Sequence, residues 1–141
     1  MFELDGKTAL VTGATRGIGE ASARALDAAG ARVILSGRTT SDLVRVASEL
    51  KNEPIMLEAD LSPPGAGTQH AAQVLEATGG EGVNIIVNNA GIPMRRTPEA
   101  LSEEDFDLVF SINVRSLLML TIGLAEPMKR RGEGSIVNIS S

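Results

Sequence analysis

The chain has 141 residues, 43% of them hydrophobic and 22% charged, with a formal net charge of −5. This suits one folded domain with one sizeable core, and the acidic surplus argues against nucleic acid as a partner, since neutralising phosphates takes clustered cations. Cysteine is absent, as are tyrosine and tryptophan, so a disulfide framework, a thiolate metal site and a cysteine nucleophile are excluded and no metal is expected. In chain order, residues 7–12 read as a short buried strand, followed by three glycines, Gly13, Gly17 and Gly19, within seven positions. Residues 17–29 are good helix formers, and Gly30 suits a helix C-terminus. A second β-branched run covers residues 32–36. A second helix is expected over residues 41–50, with Leu43, Val44, Ala47 and Leu50 on one face. Residues 54–58 form a third strand, ending at Ala59-Asp60-Leu61. A loop at 62–67, a helix at 68–77 and a fourth strand at 83–87 come after it, and Asn88-Asn89-Ala90-Gly91 is next.

A loop at 92–101 leads to Ser102-Glu103-Glu104-Asp105, which has the form of a capping box. The helix it opens is expected to reach about Arg131, where Lys129, Arg130 and Arg131 suit the negative end. Gly132 would stop it, and Pro127 would bend it. Residues 135–139 are a fifth strand. Strands alternating with helices mean a parallel sheet with right-handed crossovers. The fold expected is a doubly wound α/β sheet of five strands in the order 3-2-1-4-5, one domain over residues 1–141. The N-terminus, Met1-Phe2-Glu3-Leu4-Asp5, carries acids where a signal peptide carries lysine and an apolar run. The most apolar stretch, residues 117–125, is too short to span a bilayer. A cytoplasmic protein without a membrane partner is expected.

In such a sheet the chain leaves strands one and four in opposite directions, and a crevice opens between their carboxyl ends. The turn at 13–19 and the turn at 88–91 would flank it. Glycines let a phosphate approach the backbone, and the opening helix turns free N–H groups toward the anion. A nucleotide pyrophosphate is therefore expected there, although a glycine turn can also serve only to turn the chain. Alternation points one of Asn88 and Asn89 away from the crevice, toward capping of the sheet end. Asp60 could accept from an adenine amino group or simply close a turn.

The end of strand two reads Ser36-Gly37-Arg38, with no acid before Asp42. A dinucleotide without a 2′-phosphate usually meets a carboxylate there. Arg16 and Arg38 instead match a phosphate, which favours NADP(H) over NAD(H). On the long helix Phe106, Phe110, Leu117, Leu120 and Leu124 share a face with Asn113. A buried amide there would either satisfy backbone groups or hold water or substrate near the crevice.

These motifs together resemble the short-chain dehydrogenase/reductase family, in its NADP-preferring branch, near the 3-oxoacyl carrier-protein reductases. The resemblance runs through Thr12-Gly-Ala-Thr-Arg-Gly-Ile-Gly19, Asp60-Leu61, Asn88-Asn-Ala-Gly91, Ile112-Asn113-Val114 and Ser135-Ile-Val-Asn-Ile-Ser-Ser141. It implies cofactor contacts at Gly13, Thr15, Arg16, Gly17, Ile18, Gly19, Arg38, Asp60, Leu61, Asn89, Ala90 and Gly91. It implies that Asn113 holds a water in a proton relay and that Ser141 hydrogen-bonds the carbonyl of a small-molecule carbonyl or alcohol substrate. It also calls for a tyrosine and a lysine four residues apart beyond that serine. Here tyrosine is absent, and Lys7, Lys51 and Lys129 are expected on the face opposite the crevice. His70 lies far in the chain from Ser141. The sequence thus reads as the cofactor-binding, N-terminal part of a longer oxidoreductase, holding dinucleotide without turnover. The alternatives are a module that binds only dinucleotide or a partner, and an assembly role with the glycine turn empty. The fifth strand would form an apolar sheet edge, so a homo-oligomer is expected.

Overall fold

Strand residues in this chain are apolar on both faces, so each central strand must be covered twice. The computed structural model describes residues 3–140 and meets that demand with helices on either side of a parallel sheet. The strands are β1 (Thr8–Thr12), β2 (Arg32–Gly37), β3 (Ile55–Glu58), β4 (Ile85–Asn88) and β5 (Ser135–Asn138). Their order is β3-β2-β1-β4-β5, all parallel, as the sequence implies. The helices are α1 (Gly17–Ala28), α2 (Thr40–Ala47), α3 (Ala66–Ala77), α4 (Glu103–Phe110) and α5 (Leu117–Arg131).

Adjacent residues of one strand enter opposite cores. Leu10, Ile34 and Ile86 join Val74 of α3 and Leu120, Leu124 and Met128 of α5. Val11, Leu35 and Val87 join Ala23 of α1 and Leu43 and Val46 of α2. Each fully buried aliphatic side chain contributes roughly 1.5–3 kcal/mol relative to exposure, so these two layers dominate the stability.

Several boundaries differ from expectation. On α2 the buried pair is Leu43 and Val46, whereas Val44 is exposed, because the helix spans only eight residues and leans on β2 and β3 by one narrow edge. Helix α3 begins at Ala66, inside the expected loop, with Gly65 as its cap. The Ser102–Asp105 capping box is present: Asp105 N–H donates to Ser102 Oγ at 3.1 Å and Ser102 N–H to Asp105 Oδ2 at 3.1 Å. The long helix departs from α geometry at a π turn, Ser111–Ser116, upstream of Pro127, which is buried within α5. Counted through that turn, the stretch Glu103–Arg131 is long and apolar enough by length and composition to cross a bilayer, beyond what residues 117–125 suggest. Its Leu120, Leu124 and Met128 face the core.

Candidate functional site

The carboxyl ends of β1 and β4 carry the two small-residue turns, and side chains stitch them together. Thr12, fully buried, donates its hydroxyl to Val87 O at 3.3 Å and accepts from Asn89 N–H at 3.0 Å and Ala90 N–H at 2.9 Å. Asn89 Nδ2 donates to Thr12 O and Gly13 O, each at 3.1 Å. Gly13, at φ +60°, has Asn89 Nδ2 and Ala90 Cα about where a larger residue would need room, so only glycine fits this turn. Asn88 points the other way, as strand alternation requires. Its Nδ2 donates to Thr121 Oγ1 at 3.0 Å and Asn138 Oδ1 at 2.9 Å, and its Oδ1 is the one buried side-chain atom without a partner among the described residues.

Above these turns lies a cleft of about 450 Å³. It is lined by Gly13, Thr15, Arg16, Gly17 and Ile18 on one side and by Asn89, Ala90 and Gly91 on another. Arg38, Asp60 and Leu61 complete it from the ends of β2 and β3. Gly19 is absent from the lining: it is buried, and a Cβ there would strike Gly13 O and Asn89 Nδ2. Lys7 and Lys51 line a separate hollow at the amino end of the sheet, and Lys7 Nζ donates to Glu133 at 2.6 Å. Lys129 sits in the last turn of α5.

The electrostatics favour an anion. Arg16 caps α1 without a side-chain hydrogen bond, and Glu20 is the first residue whose N–H bonds back into the helix, to Arg16 O at 3.2 Å. The N–H groups before it have no partner within the helix, and Gly17 and Ile18, which carry two of them, line the cleft. Glu20 itself would oppose an anion, but Arg45 Nη1 and Arg24 Nη2 donate to it at 3.2 and 2.7 Å. The Arg45 bond, then the Arg24 bond, holds its carboxyl below the usual range. Arg45 Nη2 also donates to Thr15 O at 2.6 Å, fastening the glycine turn to α2. The Ser62 backbone N–H, then its hydroxyl, and the nearby Arg38 charge hold Asp60 below the usual carboxylate range.

The family model for short chain dehydrogenases matches residues 7–141. The chain belongs to the short-chain dehydrogenase family. It is similar to Nodulation protein G of Rhizobium sp. (strain N33), 44% identical over all of this chain and 57% of that protein. It is also similar to 2-dehydro-3-deoxy-D-gluconate 5-dehydrogenase of Bacillus subtilis (strain 168), 39% identical over 99% of this chain and 55% of that one. A solved 3-oxoacyl (acyl-carrier-protein) reductase from Agrobacterium tumefaciens C58 with NADP bound superposes with a TM-score of 0.92 at 36% identity, covering 99% of this chain and 54% of that structure. The chain spans about half the length of the relatives it matches.

Within this family, the chain offers residues that fit a nicotinamide dinucleotide: a helix start without a side-chain cap, glycines where side chains would intrude, and arginines lining the cleft. Asn113 is not on the buried face. It is exposed on the π turn, where its Oδ1 accepts from Ile92 N–H at 2.8 Å and its Nδ2 donates to Ile92 O at 2.9 Å. It shares the exposed side of Phe106 and Phe110, and the extra residue of the π turn sets the buried Leu120 and Leu124 downstream on a different face. Ser141 lies outside the described residues. Sequence reading missed Thr12 as the stitch between the turns, and Ile92 and Ile112 as cleft lining. Thr12 had a signal, a hydroxyl ending a buried strand beside the glycine turn; Ile112 had none, because the π turn that presents it leaves no mark in the apolar pattern.

Proposed function

We propose that this cleft binds NADP(H) in preference to NAD(H), for hydride transfer between the nicotinamide and a small-molecule carbonyl or alcohol substrate. The observation that carries the preference is the end of β2. Gly37 and Arg38 line the cleft there with Arg16, and no carboxylate stands between Ser36 and Asp42. Glu58, opposite Gly37 on β3, is bonded to the Thr40 hydroxyl and does not line the cleft. In this reading Gly13, Thr15, Gly17, Ile18 and Gly19 shape the pyrophosphate seat, and Arg16 and Arg38 hold the ribose phosphate. Asp60 and Leu61 bound the adenine, and Asn89, Ala90 and Gly91 back the second ribose. When bound, the dinucleotide supplies or accepts the hydride. Asn113 holds a water in the proton relay, and Ser141 positions the substrate carbonyl. With no tyrosine in the sequence, the 141 residues alone bind dinucleotide without turnover. A cytoplasmic location accords with this chemistry.

Titration with NADPH and NADH, read by their fluorescence, tests the reading. NADPH should bind more tightly, and Arg38→Ala should weaken it by about ten- to a hundredfold, the worth of a charge-assisted contact, with little effect on NADH. Equal affinities, or tighter NADH binding, would sink the preference. Turnover of a carbonyl panel by the pure chain would sink the claim that it only binds.

A further inference from the structure

His70, the only histidine in the chain, has no part in the function proposed above, yet it is built into the structure beneath the cleft. It is 1% exposed on α3, whose neighbouring core residues Ala66, Ala71 and Val74 are apolar. An imidazole in such a place costs desolvation unless both ring nitrogens find partners. Both do. Nδ1 lies 2.8 Å from Gln73 Oε1, and Nε2 lies 2.7 Å from Ser36 Oγ. A carbonyl oxygen only accepts, so Nδ1 carries the proton. Nε2 is then an acceptor, and the Ser36 hydroxyl donates to it. Burial holds the pKa of His70 below its ordinary value and so keeps this neutral form.

Ser36 links that pair to the cleft. It is 1% exposed, ends the apolar run of β2, and is among the cleft-lining residues. Its carbonyl accepts from Ala14 N–H at 3.0 Å, inside the glycine turn. Arg38 comes two residues later.

We propose that His70 is a positioning residue for the dinucleotide. By accepting the Ser36 hydroxyl it fixes the carboxyl end of β2, and so the place from which Arg38 meets the ribose phosphate. The inference rests on the NADP(H) reading of the cleft.

The test is the ratio of NADPH to NADH affinity, measured on the whole chain. His70→Phe keeps a ring but leaves the Ser36 hydroxyl without an acceptor. It should weaken NADPH by about tenfold and NADH by less, lowering the ratio. His70→Gln, which retains an acceptor, should recover most of the loss. Ser36→Ala should lower the ratio as His70→Phe does, and the double variant should be no worse than either single, as coupled groups behave. A merely structural role would lower thermal stability and leave the ratio alone. Because the chain has one histidine, its ring nitrogens give unambiguous NMR signals, and NADPH should shift Nε2 in the wild type. If His70→Phe fails to fold, Ser36→Ala decides: an unchanged ratio there overturns the proposal. A wild type that binds neither dinucleotide defeats the NADP(H) reading itself, and this inference with it; a wild type that prefers NADPH beside variants of unchanged ratio defeats this inference alone.

Discussion

Gly19 carries a constraint that its place in a glycine motif understates. It does not line the cleft; it is where α1 leans on both turns at once. A Cβ there would meet the Gly13 carbonyl and the Asn89 amide, and these two are already bonded to each other at 3.1 Å. Backbone must therefore move to admit a methyl group, so Gly19→Ala should cost about 1–3 kcal/mol as overpacking does. Calorimetry should register a fall in Tm of roughly 5 °C, and dinucleotide affinity should drop with it, since the displaced groups shape the cleft. A variant with unaltered Tm and affinity would refute the assignment. The same locality explains Asn88 and Asn89. Adjacent strand residues point to opposite faces, so one amide serves the turns and the other the β4–β5 seam.

Among the elements, the strands were the most legible. Leu10, Ile34 and Ile86 stand in short apolar runs set off by polar residues and glycine, as in a sheet covered on both faces. The alternation of strands and helices implies a parallel doubly wound sheet, and the expected order β3-β2-β1-β4-β5 is the one observed, with the turns meeting at Gly13 and Asn89. The helical face of residues 103–131 was misread for a physical reason. One added residue in a π turn rotates the downstream helix by about 100° relative to the upstream one, and apolar spacing alone does not reveal the step. Leu120 and Leu124 are buried as expected, but Phe106 and Phe110 are half exposed and stack on each other with centroids 4.3 Å apart. Asn113, at the step, instead ties the helix to the loop after β4 through its paired bonds to Ile92. Asn113→Ala removes both. It should cost about 1 kcal/mol, small because the site is exposed, and it should speed hydrogen exchange at the Ile92 amide while leaving core amides of β1 protected. Unchanged exchange at Ile92 would show that the pair carries no local stability.

At the scale of the whole molecule, apolar surface is distributed unevenly. Two helices, α1 and α2, and two others, α3 and α5, cover the sheet's faces, yet Phe106, Phe110, Val114, Leu118 and Ile122 recur every fourth residue along an outer stripe and are exposed, Leu118 at 55% and Ile122 at 57%. At the sheet edge all four residues of β5 are exposed, and among the described residues β5 pairs with β4 alone. A helix stripe and an unpaired strand edge are both surfaces that association covers. With a net charge of −5, long-range repulsion between copies is modest, and salt screens it beyond about 8 Å. The isolated chain should therefore self-associate. Light scattering across a concentration series should give a mass rising above the 14.7 kDa of one chain, more readily in high salt. Leu118→Glu places a charge in the middle of the helical stripe, outside the cleft lining, and should shift the mass toward one chain without changing dinucleotide affinity. If the wild type stays monomeric at high concentration in high salt, the exposed stripe does not drive association. If Leu118→Glu leaves an association intact, the β5 edge rather than the helix carries it.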